Sequence, residues 1–352
     1  MEHTFDFSRE IELCAQIAID WTRIDGKTVL ITGASGMMGI YLVKVLLWRN
    51  AHISSNIRIV AVGRSEERFR ARLGICEGAS EVLFICHDVQ QPFSCPSPVD
   101  FIFHFASNTH PRLYASNPID TEMTNILGTY NLLNMASNIP GCRFVFASST
   151  DIYGDNKIGA TPFTEKDCGY IDCNTMRAGY IEGKRASESL CNAFNEEKGV
   201  DFVTARLCRI YGPTMQLADS KAISQFIINA AQKKDILLKS KGTATFSYLY
   251  VYDAVTAMLV IATAGNTGNA YNVADNDQAL SLMELATMCS EIAGVNIVYD
   301  IPDMLEQKGA SKFQDVRLNA TKLYNLGWTP RVGLRDGLAW TVKQIGGVFD
   351  VS

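Results

Sequence analysis

"KTVLITGASGMMG" (27–39) decides the fold. An apolar run ending at Thr32 meets glycines at 33, 36 and 39, and "GIYLVKVLLW" (39–48) continues with helical spacing. Strand, glycines and helix in that order form a turn suited to a pyrophosphate. The first glycine allows a tight turn, the second lets the backbone approach the phosphates, and the third lets the helix pack on the strand. The helix N-terminus then presents free N–H groups to the anion. A glycine-rich turn with no ligand is the bland alternative, and the order of the elements weighs against it. Gly33, Ser35, Gly36, Met37, Met38 and Gly39 are therefore candidate dinucleotide contacts.

Outward from that turn the chain alternates. "IRIVAV" (57–62), "EVLFI" (81–85), "VDFIFHFA" (99–106), "CRFVFA" (142–147) and "DFVTARL" (201–207) are short apolar runs. Between them lie amphipathic stretches such as "DTEMTNILGTYNLLNMA" (120–136) and the segment 177–198. Continuous apolar strands separated by helices imply an α/β fold, a doubly wound parallel sheet covered on both faces. After Gly212-Pro213 the rhythm loosens, with helices expected near 219–233 and 281–293. The expected division is an N-terminal helical extension (1–25), a dinucleotide-binding domain (26–212 and 248–275), and a smaller C-terminal substrate lobe (213–247 and 276–352).

Composition narrows the partners. The 352 residues carry a net charge of −5 with no basic stripe, which argues against nucleic acid and anionic membranes. No apolar run is long enough to span a bilayer. "MEHTFDFSRE" lacks the basic start and apolar core of a secretion signal. The ten cysteines form no CxxC pair, so they are expected to be reduced, mostly buried thiols of a cytoplasmic protein with no metal site.

The second strand ends in "AVGRSEERFRAR", where Gly63-Arg64-Ser65 stands in place of a ribose-binding carboxylate. An arginine there can hold a 2′-phosphate, which favours NADP(H) over NAD(H). The alternative is a solvated Arg64 neutralised by Glu66 and Glu67. Asp88-Val89 and Ala106-Ser107 end the third and fourth strands and Leu207 ends the run 201–207, all positions where a dinucleotide lies in such sheets. Asp88 either accepts from the adenine amino group or caps the next turn. In "YIEGK", Tyr180 and Lys184 are four apart, on one helix face. A lysine ammonium beside a phenol favours the phenolate, which can take a proton from an alcohol as hydride leaves its carbon.

"TGASGMMG", "HFAS", "SSTDIYG", "YIEGKRASE", "ARLCRIYGP" and "YVYDAV" together resemble the extended short-chain dehydrogenase/reductase family, the NAD-dependent epimerase/dehydratases of nucleotide sugars, from Lys27 to about Trp340. The resemblance implies a Rossmann-type sheet with Tyr180 as acid/base. Lys184 lowers its pKa and holds the nicotinamide ribose, and Ser149 hydrogen-bonds the reacting oxygen. It also implies a nucleotide-linked sugar as substrate, and a homodimer paired through helices 120–136 and 177–198. This chain departs from the family in places. Dehydratases carry an Asp-Glu pair, and decarboxylases a Glu, where Thr150 and Asp151 stand here. Arg209 replaces an asparagine before "YGP", and "TFSYLYV" lacks the arginine that usually grips the diphosphate. Arg209 and Lys221 become the expected anion binders, with Thr150, Asp151 and Tyr248 beside the substrate. The NADP(H) signature and the missing carboxylate favour NADPH-driven reduction of a keto group on a nucleotide sugar or nucleotide-linked polyol. The alternative is an epimerase or 4,6-dehydratase that recycles its nicotinamide. A nucleotide-sensing binding protein is the remote third reading, disfavoured because that class usually loses the Tyr/Lys pair.

Overall fold

The computed structural model describes residues 6–156 and 161–350. Its central sheet consists of seven parallel strands. In chain order these are β1 (Thr28–Thr32), β2 (Arg58–Gly63), β3 (Leu83–Cys86), β4 (Phe101–His104), β5 (Arg143–Ser149), β6 (Asp201–Leu207) and a last strand, Asn269–Val273. Across the sheet they run β3-β2-β1-β4-β5-β6 and then 269–273. The winding reverses between β1 and β4, and a crevice opens there beyond the carboxyl ends of the strands.

Every residue of β1 and β5 is buried because helices cover both faces. The first eight helices in chain order are α1 (Phe7–Ala15), α2 (Met37–Ile53), α3 (Glu66–Leu73), α4 (Pro111–Ser116), α5 (Pro118–Ala136), α6 (Ala178–Lys198), α7 (Ala222–Ala231) and α8 (Val251–Ala264), of which α2, α5, α6 and α8 pack on the central strands. Strand alternation sorts the core into two layers. Leu30, Phe144, Phe146 and Phe202 meet Leu132, Leu133 and Phe194 of α5 and α6. Val29, Ile31, Val145 and Val203 meet α2 and α8. Each such fully buried side chain contributes about 1.5–3 kcal/mol of apolar burial.

A second, smaller sheet forms beyond this layer. Thr245–Tyr250 pairs with Arg209–Tyr211 and Asp315–Val316 in parallel and with Ala279–Ser281 antiparallel. Tyr250 is also the N-cap of α8, so the chain passes from this sheet to the main one without a loop. Ser281 and Glu284 form a capping box that starts the helix Leu282–Ala293.

The extension before β1 is more than the single helix expected. α1 is followed by a short 3₁₀ turn, Trp21–Arg23. Arg49 of α2 fixes this segment, stacking 3.7 Å from the Trp21 ring centroid and donating to Ala15 O (2.8 Å) and Asp25 (3.0 Å). All ten thiols are free, but only five are buried; Cys86, Cys168 and Cys173 are exposed. No helix among the described residues is long and apolar enough to cross a membrane.

Candidate active site

Gly33 has φ +64°, and a Cβ there would sit 2.8 Å from the backbone of Phe105 and Ala106 beyond β4. Only glycine tolerates both demands. A Cβ on Gly39 would lie 2.5 Å from Gly33 O, so this glycine lets α2 close on the turn. Gly36 caps α2 without a side-chain bond, which leaves the first N–H groups of the helix facing the crevice. A backbone cradle that any Cβ would fill, at a helix N-terminus, fits the phosphates of a dinucleotide.

Every cofactor candidate named from the sequence lines this one cleft of about 380 Å³, within the usual range of small-molecule sites (about 300–1,000 Å³). Arg64 follows β2 there, joined by Arg68 of α3, whose Nη2 donates to Gln216 Oε1 at 2.5 Å. Asp88 accepts from the Gln90 N–H (3.0 Å), so its carboxylate caps the turn while bordering the cleft. Ala106 N–H donates to Thr32 Oγ1 (3.2 Å) and Ser107 Oγ to Asn125 Oδ1 (2.8 Å), which fixes the end of β4.

β5 ends at Ser149, whose hydroxyl caps the 3₁₀ turn Thr150–Tyr153 through Asp151 N–H at 3.2 Å. Tyr153 belongs to the scaffold. Its hydroxyl donates to Asn272 (2.6 Å) and accepts from Arg206 (2.8 Å), which is paired with Glu188 at 2.7 Å. Ser149 and Tyr114 flank the Tyr180 hydroxyl, and Tyr114 stacks on its ring with centroids 4.7 Å apart. Lys184 Nζ donates to Ala147 O (2.7 Å) and lies 4.8 Å from the Phe146 ring centroid.

The expected depression of Tyr180 is corrected here. Burial first, then Asp151, pushes its phenol up to about 12 against the opposing pull of Ser149, Arg177 and Tyr114. Burial likewise pushes Lys184 down to about 7, despite Glu188 and Cys191. Both groups have lost water, and Lys184 is aimed at a carbonyl. A positive ring bound in the cleft acts on the phenol in the opposite direction, lowering it.

The substrate side holds residues the sequence reading missed. Arg177, one turn before Tyr180, is buried and ion-paired with Asp151, its guanidinium 5.3 Å from the Tyr114 ring centroid. Its position three before Tyr180 was the available signal. Thr150 Oγ1 is buried with no partner among the described residues, as a hydroxyl awaiting a ligand would be. Arg209 lies 3.6 Å from the Phe246 ring centroid and makes no ion pair among the described residues. Lys221 is no free cation: its Nζ is 3.0 Å from Asp219, which also faces His110 at 3.0 Å. Tyr248 is the one named candidate outside the cleft. It lies opposite Arg209 in the small sheet but fully buried, near Cys208 and Cys289, so it is a core residue.

The model of the NAD dependent epimerase/dehydratase family matches residues 29–274. The chain belongs to this family. UDP-glucuronic acid decarboxylase 1 of Xenopus tropicalis is 30% identical over 318 residues, covering 90% of this chain and 72% of that protein. UDP-glucose 4-epimerase of Thermotoga maritima, solved with UDP-glucose, superposes with a TM-score of 0.77 at 22% identity, over 92% of this chain and 99% of that one. The dTDP-glucose 4,6-dehydratase DesIV of Streptomyces venezuelae, solved with NAD, gives 0.77 at 22% identity over 90% and 96%. The protein is thus an enzyme of the epimerase/dehydratase class with a Rossmann-type sheet.

Proposed function

We propose that the enzyme converts a nucleotide-activated sugar through a closed hydride cycle. A ring hydroxyl is oxidised, the resulting ketone reacts, and the hydride returns to the same sugar. One observation carries this reading: Ser149, Tyr180 and Lys184 meet in a cleft continuous with the glycine turn, in a chain whose relatives are named decarboxylases, epimerases and dehydratases. None of those conversions changes the overall redox balance, so a nicotinamide taking part must be restored within each turnover. The net NADPH-driven reduction expected from the sequence has no counterpart among these relatives, and the alternative replaces it.

The bound nicotinamide supplies one thing, a reversible hydride acceptor. Tyr180 takes the proton of the reacting hydroxyl and later returns it, with Ser149 sharing the oxygen. Lys184, buried below, makes the ribose contact. Thr150 faces the sugar. Arg209, spread on Phe246, holds the diphosphate, since an unpaired anion in a partly dry cleft is costly. Lys221 contributes little there, because Asp219 neutralises it.

Arg64 just after β2 and Arg68 of α3 support the 2′-phosphorylated form, NADP(H), although relatives such as DesIV were solved with NAD. Tighter binding of NADP(H) than NAD(H), lost in Arg64→Ala, is the expected outcome of a fluorescence titration; equal affinities contradict it. The exposed apolar residues Ile119, Leu127 and Tyr130 of α5 support a homodimer through α5 and α6, which light scattering tests as twice the chain mass.

The function itself is tested with UDP-glucuronic acid, UDP-glucose and dTDP-glucose and a trace of NAD or NADP. The closed cycle gives many turnovers per cofactor. A requirement for one equivalent of reduced cofactor per product would refute it.

A further inference from the structure

The cleft contains a second pair of proton-handling side chains, which Ser149, Tyr180 and Lys184 leave unused. His110 ends the loop after β4 and caps α4. Its Nδ1 lies 3.0 Å from Asp219 Oδ1. Lys221 Nζ donates to the other carboxylate oxygen at 3.0 Å, and the Lys221 backbone N–H donates to Oδ1 at 2.9 Å. Burial pushes the Asp219 carboxyl up, but Lys221, His110 and that N–H outweigh it and hold it well below the usual carboxylate range. A carboxylate held 3.0 Å from Nδ1 occupies that side of the imidazole and leaves Nε2 as the ring nitrogen available to a substrate. One turn along α4, Tyr114 stacks on Tyr180, so this short helix brings the dyad and the phenol to one cleft.

The 3₁₀ turn Thr150–Tyr153 that follows β5 offers no such group. Its one carboxylate, Asp151, is held in a buried ion pair with Arg177, and its neighbours Ser149 and Thr150 are hydroxyls. We infer that His110 is the catalytic acid–base for carbon 5 of the sugar, with Asp219 its positioning residue; this rests on the closed hydride cycle proposed above. With carbon 4 at the ketone level in that cycle, the C5 position lies next to a carbonyl. In an elimination, Nε2 takes the C5 proton and the C–H electron pair forms an enolate. That pair then expels the C6 hydroxyl, which leaves as water with the proton from His110. In a decarboxylation, the C5–C6 pair enters the enolate as carbon dioxide departs, and protonated His110 delivers its proton to C5. In the elimination the hydride then returns to C6, and His110, reloaded with a proton from solvent, protonates the resulting enolate at C5; in the decarboxylation the hydride returns to C4. Simple 4-epimerisation needs no proton at C5, so the dyad assigns this enzyme to the elimination or decarboxylation branch.

The test uses UDP-glucuronic acid, UDP-glucose and dTDP-glucose in heavy water, with wild type, His110→Gln and Asp219→Asn. The wild-type product carries one deuterium at C5 by NMR and mass. His110→Gln loses at least about a hundredfold in product formation. Reduced nicotinamide nevertheless appears at 340 nm and persists, which shows a folded protein stalled after oxidation. Asp219→Asn shows the same stall with a smaller loss, about tenfold. A product with no deuterium at C5, full incorporation by His110→Gln, or loss of the 340 nm signal in both variants overturns the assignment and leaves the hydride cycle standing. Failure of the wild type to react with any of the three sugars contradicts the cycle, and the inference falls with it.

Discussion

Tyr180 sits in a drier place than its task suggests. With its phenol near 12, it is a poor base until a cation joins it, so the resting site is set to hold the proton. Tyr180→Phe keeps the ring packing on Tyr114 and removes only the proton-transfer group. Turnover is expected to fall more than a hundredfold with cofactor affinity nearly unchanged; a variant that keeps a tenth of wild-type rate has lost only about 1.4 kcal/mol and excludes Tyr180 as the proton carrier. Arg209 makes a binding prediction instead. Arg209→Asn takes the cation off its Phe246 platform, raising KM for the nucleotide sugar about ten- to a hundredfold with kcat little changed, as loss of a charge-assisted contact implies. An unmoved KM places the diphosphate elsewhere. At this scale the sequence showed which residue types carry chemistry, not which are tied up. The Asp151–Arg177 pair spans 26 residues and the His110–Asp219 pair 109, so neither leaves a local pattern. Tyr248 lies outside the cleft, and a strand read alone does not reveal which of its side chains face the core.

The elements were more legible. β6 coincides with the run 201–207, and α5 and α6 begin within a turn of their expected positions, because a strand buried on both faces and a helix on a sheet leave strong periodic signals. The small sheet was not readable, since its strands are short and join residues far apart in the chain. α1, in the N-terminal extension expected from the sequence, crosses the joint between the sheets. Glu10 accepts from Tyr41 of α2 (2.6 Å) and from Tyr250 at the start of α8 (2.8 Å). Burial, outweighing these two bonds, pushes Glu10 from its ordinary 4.5 to about 7. Below pH 4.5 the carboxyl is neutral in both folded and unfolded chains, and its contribution to stability is fully present. As pH rises through about 7 the unfolded chain ionises first and that contribution is lost, at about 1.4 kcal/mol per pKa unit. Glu10→Gln keeps a neutral acceptor for both tyrosines. It is expected to raise Tm at pH 8 and change it little at pH 5, as thermal melts at the two pH values will show. A lower Tm at pH 8 contradicts a neutral, buried Glu10.

Across the whole molecule, the glycine turn lies at the strand ends of a parallel sheet, and a smaller sheet stands beside the same cleft. Arg209–Tyr211, directly after β6, joins that smaller sheet, so one stretch of chain sets both walls of the cleft. This architecture suits a cycle in which the sugar stays bound between oxidation and return of the hydride. The direct test of that claim is a tracer measurement: each of UDP-glucose, dTDP-glucose and UDP-glucuronic acid labelled with deuterium at carbon 4, incubated with the enzyme and unlabelled NAD or NADP. The closed cycle predicts that the product keeps the deuterium while the cofactor pool gains none; product that has lost its deuterium to free reduced cofactor contradicts the account.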